Sequence, residues 1–517
     1  MQAAVVVLLI TLPWLNPFTP GPTSGMGPLL FAWVCAAGVL LMWAWDRTRG
    51  ETTTTVRAVV SGWAAAAGLS AVIGVLQYFG HTAAFGEWIN HTGVGTAFGN
   101  LRQRNQFATL LNIGLLAVLW LASSQSAPHA GAPTAPRQPW RLPLALLAAA
   151  LLSVGNAASS SRTGLFQLVL IIVLMLWWLH GSVGASLRQA RHLHVVLLAA
   201  ALSFAAATVA LPLLAGLDPS STGAWARLQA ADPPCASRIT LWGNVLTLIA
   251  QKPWLGWGWG ELDYAHFVTL YPGRRFCDIL DNAHNLPLHL AVELGLPLAA
   301  LACATVLWLT VRAKPWAERN PTRQMAWGVL AVIGLHSMLE YPLWYGPFQM
   351  AAGLSVWLLW WVPREGAQER RFKSWVPKVH YLYALTAVVL MVYSGFFTWN
   401  YYLVSQLYLR SEDRAPAYRV NTLPKVRGVW LQQDTVRFAE LTTTELTAAN
   451  AEYLNALGKD MLHFSPENKV VRIIINSAQM LGRDDEVAFY ATRLQLAFPK
   501  AYEAWQDEQR ESRIPSP

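Results

Sequence analysis

The chain has 517 residues, of which 54% are hydrophobic and only 13% charged, with 26 Trp and a formal net charge of +9. A soluble chain carries about 25% charged residues, so a string of soluble domains is excluded. Disorder, which needs low hydrophobicity and high charge, is excluded as well. What remains is an all-α polytopic membrane protein. The positive charge then asks which loops carry it before it suggests nucleic acid as a partner, and none is expected.

A helix crossing hydrocarbon needs about 20 mostly apolar residues. Taken in chain order, eleven segments qualify as transmembrane helices: 2–15, 28–45, 57–78, 106–123, 142–157, 164–179, 194–215, 286–311, 325–343, 346–362 and 380–398. The first lacks a basic leader and a small-residue cleavage site, so it reads as a retained span rather than a signal peptide. Loops 46–57, 124–141, 180–193, 312–324 and 363–379 alternate with the others and hold 16 Lys and Arg. The opposite loops hold 8 before residue 400. The dense clusters are Arg312, Lys314, Arg319, Arg323 and then Arg364, Arg370, Arg371, Lys373, Lys378. By the positive-inside bias these loops are cytoplasmic. The expected topology has the N-terminus inside and everything after residue 398 outside. Loop 124–141 is Ala/Pro-rich and reads as a flexible connector.

Three outer segments follow from that topology: 79–105, the long loop 216–285 and the tail 399–517. The expected domains are a membrane domain over 1–398, long loop included, and an outer helical domain over 399–517. In the tail, apolar residues recur at helical spacing at Val470, Ile473, Ile474, Ala478 and again at Val487, Tyr490, Ala491, Leu494. Leu481, Gly482 and Arg483 sit where a helix ends and turns. The pattern predicts a helical hairpin resembling a tetratricopeptide unit. Such a tail suits either recruitment of a partner protein or a stabilising cap over the long loop.

Ionisable groups at membrane depth are costly and point to function. Arg102 and Arg104 stand in NLRQRNQF, Arg162 in SSSRTG, Arg238 in ASRITLW, His284 in DNAHNLPLHL, and Glu340 and Tyr341 in LEYPLWYGPF. All fall on one membrane face in this topology. Arg offers planar, bidentate bonding to phosphate, and several Arg at headgroup depth suit a lipid-linked diphosphate and the charge it develops on leaving. A His at that depth can take a proton from an incoming hydroxyl. Structural roles stand beside these: an interfacial Arg snorkels to lipid phosphate, a His at a helix start caps it, and Glu293 serves as a buried hydrogen-bonded acid. Cys235 and Cys277 share the outer loop, where either a disulfide or two free thiols fit. No CxxC, HExxH, Asp-rich, GxGxxG or phosphate-loop pattern is present, so no metal or nucleotide cofactor is expected.

At these residues the sequence resembles the O-antigen ligase and polymerase superfamily, and more narrowly the bacterial O-linked oligosaccharyltransferases that glycosylate pilins. The matching pieces are GNLRQRNQFATLL (99–111), SSSRTGLFQL (159–168), SRITLWGNVLTLIAQKPWLGWGWGEL (237–262), DNAHNLPLHLAVELGLP (281–297) and HSMLEYPLWYGPFQM (336–350), in family order. The turn PWLGWGWG departs from the family pattern by its bulky Trp257 and Trp259.

The resemblance implies transfer of a glycan from a polyprenyl (undecaprenyl) diphosphate to an acceptor at the periplasmic face of the bacterial inner membrane. It gives His284 the role of general base on a Ser or Thr hydroxyl of a periplasmic protein such as a pilin. Arg162 and Arg238 hold the donor diphosphate. Arg102, Arg104, Asn105 and Gln106 line the donor or acceptor entrance, with Asn285, Glu340 and Tyr341 in support. A single displacement inverts the anomeric carbon. The same chemistry fits an O-antigen ligase acting on lipid A core, or a polysaccharide polymerase. A lipid or solute transporter is a further alternative, which predicts charge along the midplane; here the span centres carry little.

Overall fold

A computed structural model describes residues 1–45, 52–123, 140–181, 187–229, 233–364 and 376–511. Nearly all of the connector 124–141, parts of the other basic loops, and Arg370, Arg371 and Lys373 lie outside the described residues. Among the described residues the regular structure is helical, without strands. All eleven apolar segments are helical. Among the described residues eight helices are long and apolar enough to cross a membrane. Gln2–Leu15, Pro321–Ser337 and Gly346–Trp361 are shorter, at 14, 17 and 16 residues.

One expected span is divided. Residues 286–311 form two helices, Leu286–Leu294 and Leu296–Ala313, separated at Gly295 with φ +82°. The backbone of Leu296 donates to Pro253 O at 2.8 Å instead of continuing the first helix, and Pro297 has no N–H to offer the helix ladder. The long apolar helix of this region is therefore Leu296–Ala313.

The chain divides into two compact units, Met1–Ala230 with Trp308–Gly395 and Ala231–Leu307 with Phe396–Pro517. At the centre of the first unit lies Arg104–Ser123. This helix is buried almost all round, its polar residues Gln106, Thr109 and Asn112 included. It packs against Thr52–Tyr78, Arg141–Ala158, Arg162–Gly181 and Pro321–Ser337, with 89% of its spanning window buried. Gln2–Leu15 packs on Thr52–Tyr78, burying Ile10 and Trp14 while Thr11 Oγ1 donates to Gly62 O at 3.1 Å. Arg323, one of the cations in the basic loops, is buried. Its Nε pairs with Glu318 at 2.7 Å, and its Nη1 donates to Val362 O at 2.9 Å, beyond the end of Gly346–Trp361. This cation thus satisfies carbonyls that a helix end leaves open.

The second unit joins the loop residues 233–307 to the tail. The tail hairpin is Asn468–Met480 and Asp484–Ala497, turned by Leu481–Arg483 with Gly482 at φ +69°. Arg483 N donates to Ala478 O at 2.9 Å, which closes the first helix. Val470, Ile474 and Ala478 are buried as their spacing predicts, and Leu494 is buried on the second helix. The loop helix Leu262–Val268 docks into this core through Phe267, packed among Leu441, Leu454 and Leu494. Tyr264 stacks on His463 at 3.8 Å, His463 Nδ1 meets Glu261 at 2.6 Å, and Arg493 Nε donates to Val268 O at 3.0 Å. Cys235 and Cys277 are bridged, their Cα atoms 5.3 Å apart.

Candidate active site

In the first unit three of the sequence motifs meet at Asn105. Its amide oxygen accepts from Ser161 Oγ at 2.6 Å, and its Nδ2 donates to Glu340 Oε1 at 3.4 Å. Ser161 also accepts from Gly164 N at 2.9 Å. It therefore caps the helix that Arg162 opens, a position where Ser supplies one of the missing acceptors. Arg162 is half-buried, and its Nε and Nη2 both donate to Arg227 O, at 2.9 and 2.6 Å. Arg104 opens the central helix, and Gln106 is buried within its first turn. Tyr341 stacks on Tyr345 with ring centroids 5.9 Å apart.

Arg102 has a different setting. It is exposed, with φ +59°, and its guanidinium reaches Pro17 O at 2.9 Å, Asn90 Oδ1 at 3.3 Å and Thr19 Oγ1. These contacts tie the segment after the first helix to the 79–103 loop. Gln77 and Asn100, which sequence reasoning passed over, complete that tie. Gln77 bonds Asn90 O and Gly99 O at 2.7 and 2.8 Å, and Asn100 bonds Leu15 O at 2.7 Å.

Beneath Asn105 lies a buried polar network that sequence reasoning also missed. Thr109 Oγ1 meets His336 Nδ1 at 3.0 Å, and Gln167 Nε2 donates to Thr109 Oγ1 at 2.9 Å and Val332 O at 3.0 Å. Asn112 and Asn156 both donate to Gly164 O, at 3.1 and 3.2 Å. A Cβ on Gly164 would come within 2.2 Å of Asn156 Oδ1 and 2.6 Å of Ala108 Cβ, so the close packing of Arg162's helix requires glycine there. The signal was visible as isolated Gln, Asn and His within apolar runs, where an unpartnered polar group is costly.

In the second unit Arg238 opens Arg238–Gln251, capped by Ser237, which accepts from Thr240 N at 3.2 Å. Trp242 on this helix donates to Ala283 O at 3.1 Å, joining it to the residue before His284. His284 stands at φ +49°, a left-handed conformation uncommon for a side-chain-bearing residue. Its N–H donates to Asn282 Oδ1 at 2.8 Å, and Asn285 caps Leu286–Leu294 by accepting from Leu288 N at 3.1 Å. Asn282 thus fixes the backbone of the half-buried His284 from one side, and the cap residue Asn285 follows it on the other. Below it His289 Nε2 lies 3.5 Å from Glu293 Oε2.

The glycine-rich turn after Arg238–Gln251 locks onto this helix. Trp257 N donates to Val292 O at 2.9 Å and Gly258 N to Glu293 O at 3.0 Å. A Cβ on Gly256, at φ +70°, would lie 2.3 Å from Glu293 O, and one on Gly295 2.2 Å from Trp254 O.

Near this turn, burial pushes the Asp263 carboxyl up to about 7, and the Asp281 and Glu261 carboxylates push the same way, against the Tyr264 N–H that donates to it. Burial, aided by the Arg275 guanidinium, pushes His266 down to about 3. His266 is held by Tyr271 Oη at 2.8 Å and Phe276 O at 3.2 Å. Among the described residues no group of three or more His, Cys, Asp or Glu is placed to hold a metal ion.

Arg162, Arg238 and His284 therefore share one local device: each stands at the start of a helix whose cap is a neighbouring Ser or Asn. Free N–H groups and the helix dipole favour anions at such a start. Arg162 belongs to the first unit, and Arg238 and His284 to the second.

Comparison with known families adds to this geometry. A family model described as "O-Antigen ligase" matches residues 147–303, one described as "Protein glycosylation ligase" matches 97–122, and one described as "Virulence factor membrane-bound polymerase, C-terminal" matches 324–512. The General O-oligosaccharyltransferase of Acinetobacter baylyi is 26% identical over 271 residues, covering 51% of this chain and 43% of that protein. The ComP-specific O-oligosaccharyltransferase of the same species is 24% identical over 262 residues, covering 50% and 43%. Each match thus spans less than half of the relative's length. By these matches the chain resembles the O-antigen ligase and polymerase superfamily, and most resembles the O-oligosaccharyltransferases.

Proposed function

We propose that this protein is a periplasm-facing glycosyltransferase of the inner membrane, crossing the bilayer eleven times with its N-terminus inside. It transfers a preassembled glycan from polyprenyl diphosphate to Ser or Thr hydroxyls of a periplasmic protein such as a pilin. His284 takes the hydroxyl proton as the new bond to the anomeric carbon forms and the bond to the diphosphate breaks, inverting that carbon. Arg162 and Arg238 bind the diphosphate and stabilise it as it leaves. Asn105, Gln106, Glu340 and Tyr341 support the donor or acceptor, with Arg102 and Arg104 at the entrance and Asn285 orienting His284. No metal or nucleotide takes part.

The observation that carries the reading is the placement of His284, held at positive φ between Asn282 and the cap Asn285. Local strain of about 1–3 kcal/mol persists where surrounding structure imposes it, often at functional positions. The match of residues 97–122 to a family described as "Protein glycosylation ligase" supports protein as the acceptor. His284→Ala should abolish transfer while lipid-linked glycan accumulates and the protein still inserts. Near-normal glycosylation of periplasmic proteins by mass spectrometry would remove His284 from the mechanism.

The match of residues 324–512 to a membrane-bound polymerase favours a second reading, in which the acceptor is another glycan. Mass spectrometry of periplasmic proteins alongside a lipopolysaccharide gel, with and without this chain, separates the two. Longer glycans or altered lipopolysaccharide with no modified protein favours the second. Turnover by purified protein in detergent argues against a transporter.

A further inference from the structure

The helix Arg238–Gln251 is apolar on two sides. Leu241, Val245, Leu248 and Ile249 are buried in the second unit's own core. Ile239, Gly243, Leu246 and Ala250 form an exposed stripe, spaced i, i+4, i+7, i+11, with Ile239 83% exposed. A helix on a water-exposed surface keeps its outer face polar, and a contiguous exposed apolar patch marks an interaction site. The stripe runs on into the turn, where Trp254 is 75% and Leu255 86% exposed.

Two further observations say what covers this face. The first is chemical. Residues 238–260 contain no Asp or Glu, two cations (Arg238 and Lys252) and four Trp, the composition of a segment lying in a bilayer interface. The second is positional. The turn is pinned to the first residue of a long apolar helix, through the 2.8 Å bond from Leu296 N to Pro253 O and the close approach of Gly295 to Trp254 O. That helix, Leu296–Ala313, exposes almost all of its apolar surface, with 6% of its spanning window buried. Trp254 and Leu255 thus sit where a membrane helix enters the bilayer.

We propose that residues 238–255 lie in the membrane interface on the side where Leu296–Ala313 begins, with Ile239, Leu246, Trp254 and Leu255 turned into the acyl chains. The inference rests on reading Leu296–Ala313 as a membrane span. It makes the start of Arg238's helix a membrane-anchored element, held at headgroup depth by the lipid as well as by the protein.

The test uses full-length protein in phosphatidylcholine/phosphatidylglycerol vesicles, with and without brominated acyl chains, and an environment-sensitive fluorophore on one cysteine. Cys235 and Cys277 remain bridged. In Cys35→Ala, the exposed native Cys303 within Leu296–Ala313 serves as the reference for a bilayer position. In Cys35→Ala/Cys303→Ala, Leu255→Cys and Ile239→Cys carry the probe, and Met480→Cys places it on the tail hairpin. The expected result is a blue shift and a brominated-lipid loss of emission at 255 and 239 comparable to that at 303, with 480 unquenched. Quenching at 303 but at neither 255 nor 239 overturns the proposal. A blue shift at 255 without bromine quenching assigns the face to a protein partner or a second copy, and overturns it too. No quenching at 303 removes the span on which the proposal rests, and the proposal falls with it.

Discussion

Two helices in this protein begin with the same dipeptide, Ser161–Arg162 and Ser237–Arg238, and the two are held in different ways. Ser161 is buried, bonds Asn105 as well as its own helix, and stands above the network of Thr109, Gln167 and His336. Ser237 is half-exposed and relies on local bonds to Thr240 and Pro234. Two turns or fewer along, Gly164 is clamped by Asn156 and Ala108, whereas Gly243 has no neighbouring heavy atom within 4 Å of a would-be Cβ. The cap chemistry of the dipeptide is the same in both places. What differs is how tightly packing closes on the first turns of the helix: Ser161 and Gly164 are pressed against other helices, whereas Ser237 and Gly243 are not.

Substitution of the two glycines should separate the sites most widely. Gly164→Ala forces the packing of Arg162's helix apart and should cost about 2 kcal/mol by overpacking, with most transfer lost. Gly243→Ala should be neutral, or stabilising by about 0.5–1 kcal/mol, because alanine favours the helix. Thermal unfolding in detergent together with a glycosylation assay reads both, and equal effects would break the comparison.

Exchange of each arginine for lysine comes next. Arg162→Lys loses a two-pronged bond from one guanidinium and should lower kcat/KM about tenfold, the equivalent of about 1.4 kcal/mol. Arg238→Lys should act in the same direction if both arginines bind diphosphate. Full activity in Arg162→Lys with reduced stability would make its bond to Arg227 O its whole function.

Removing the caps should have smaller effects. Ser161→Ala should cost about 1 kcal/mol and Ser237→Ala about 0.5 kcal/mol, the middle and lower end of the range for cap removal. Equal costs would mean that burial does not matter at these starts.

The last effect concerns acid, where two buried groups of the second unit pull in opposite directions. His266, in the second unit, is held near 3 by burial, below its ordinary 6.5. Its folded-state pKa is depressed, so the unfolded chain binds the proton first. Stability from the neutral imidazole is present above about pH 6.5 and is lost as pH falls toward 3. Asp263, raised to about 7, works the other way and favours the folded form as pH drops from 7 toward 4. His266→Gln should flatten the acid loss of unfolding temperature in the second unit. An unchanged acid limb would place the sensitivity elsewhere.

Much of the molecule was legible in its residues. Apolar run length located the helical segments, and the spacing at Val470, Ile474 and Leu494 located the tail hairpin, because burial of one helical face requires that period. The ionisable residues at segment ends marked the site candidates, since charge at membrane depth needs a reason. The division of 286–311 was not legible by run length, because Gly295 breaks the helix through a contact with Trp254, some forty residues earlier. Gln77, Gln167 and His336 were missed for a related reason. A polar residue in an apolar run is costly or useful according to its partners, and those partners come from other helices.

The sequence by itself determined the helical class, the caps at Ser161, Ser237 and Asn285, and which side chains could meet a phosphate or a hydroxyl. These depend on side-chain chemistry and on neighbours within a few residues. Only the tertiary structure decided that Asn105 joins Ser161 to Glu340, that Arg102 bonds Pro17, Thr19 and Asn90, and that His284 stands at positive φ before a helix gripped by the Trp257 turn. Most of those contacts bring together groups distant in the chain, and their geometry is set by how whole helices pack, which no local spacing encodes.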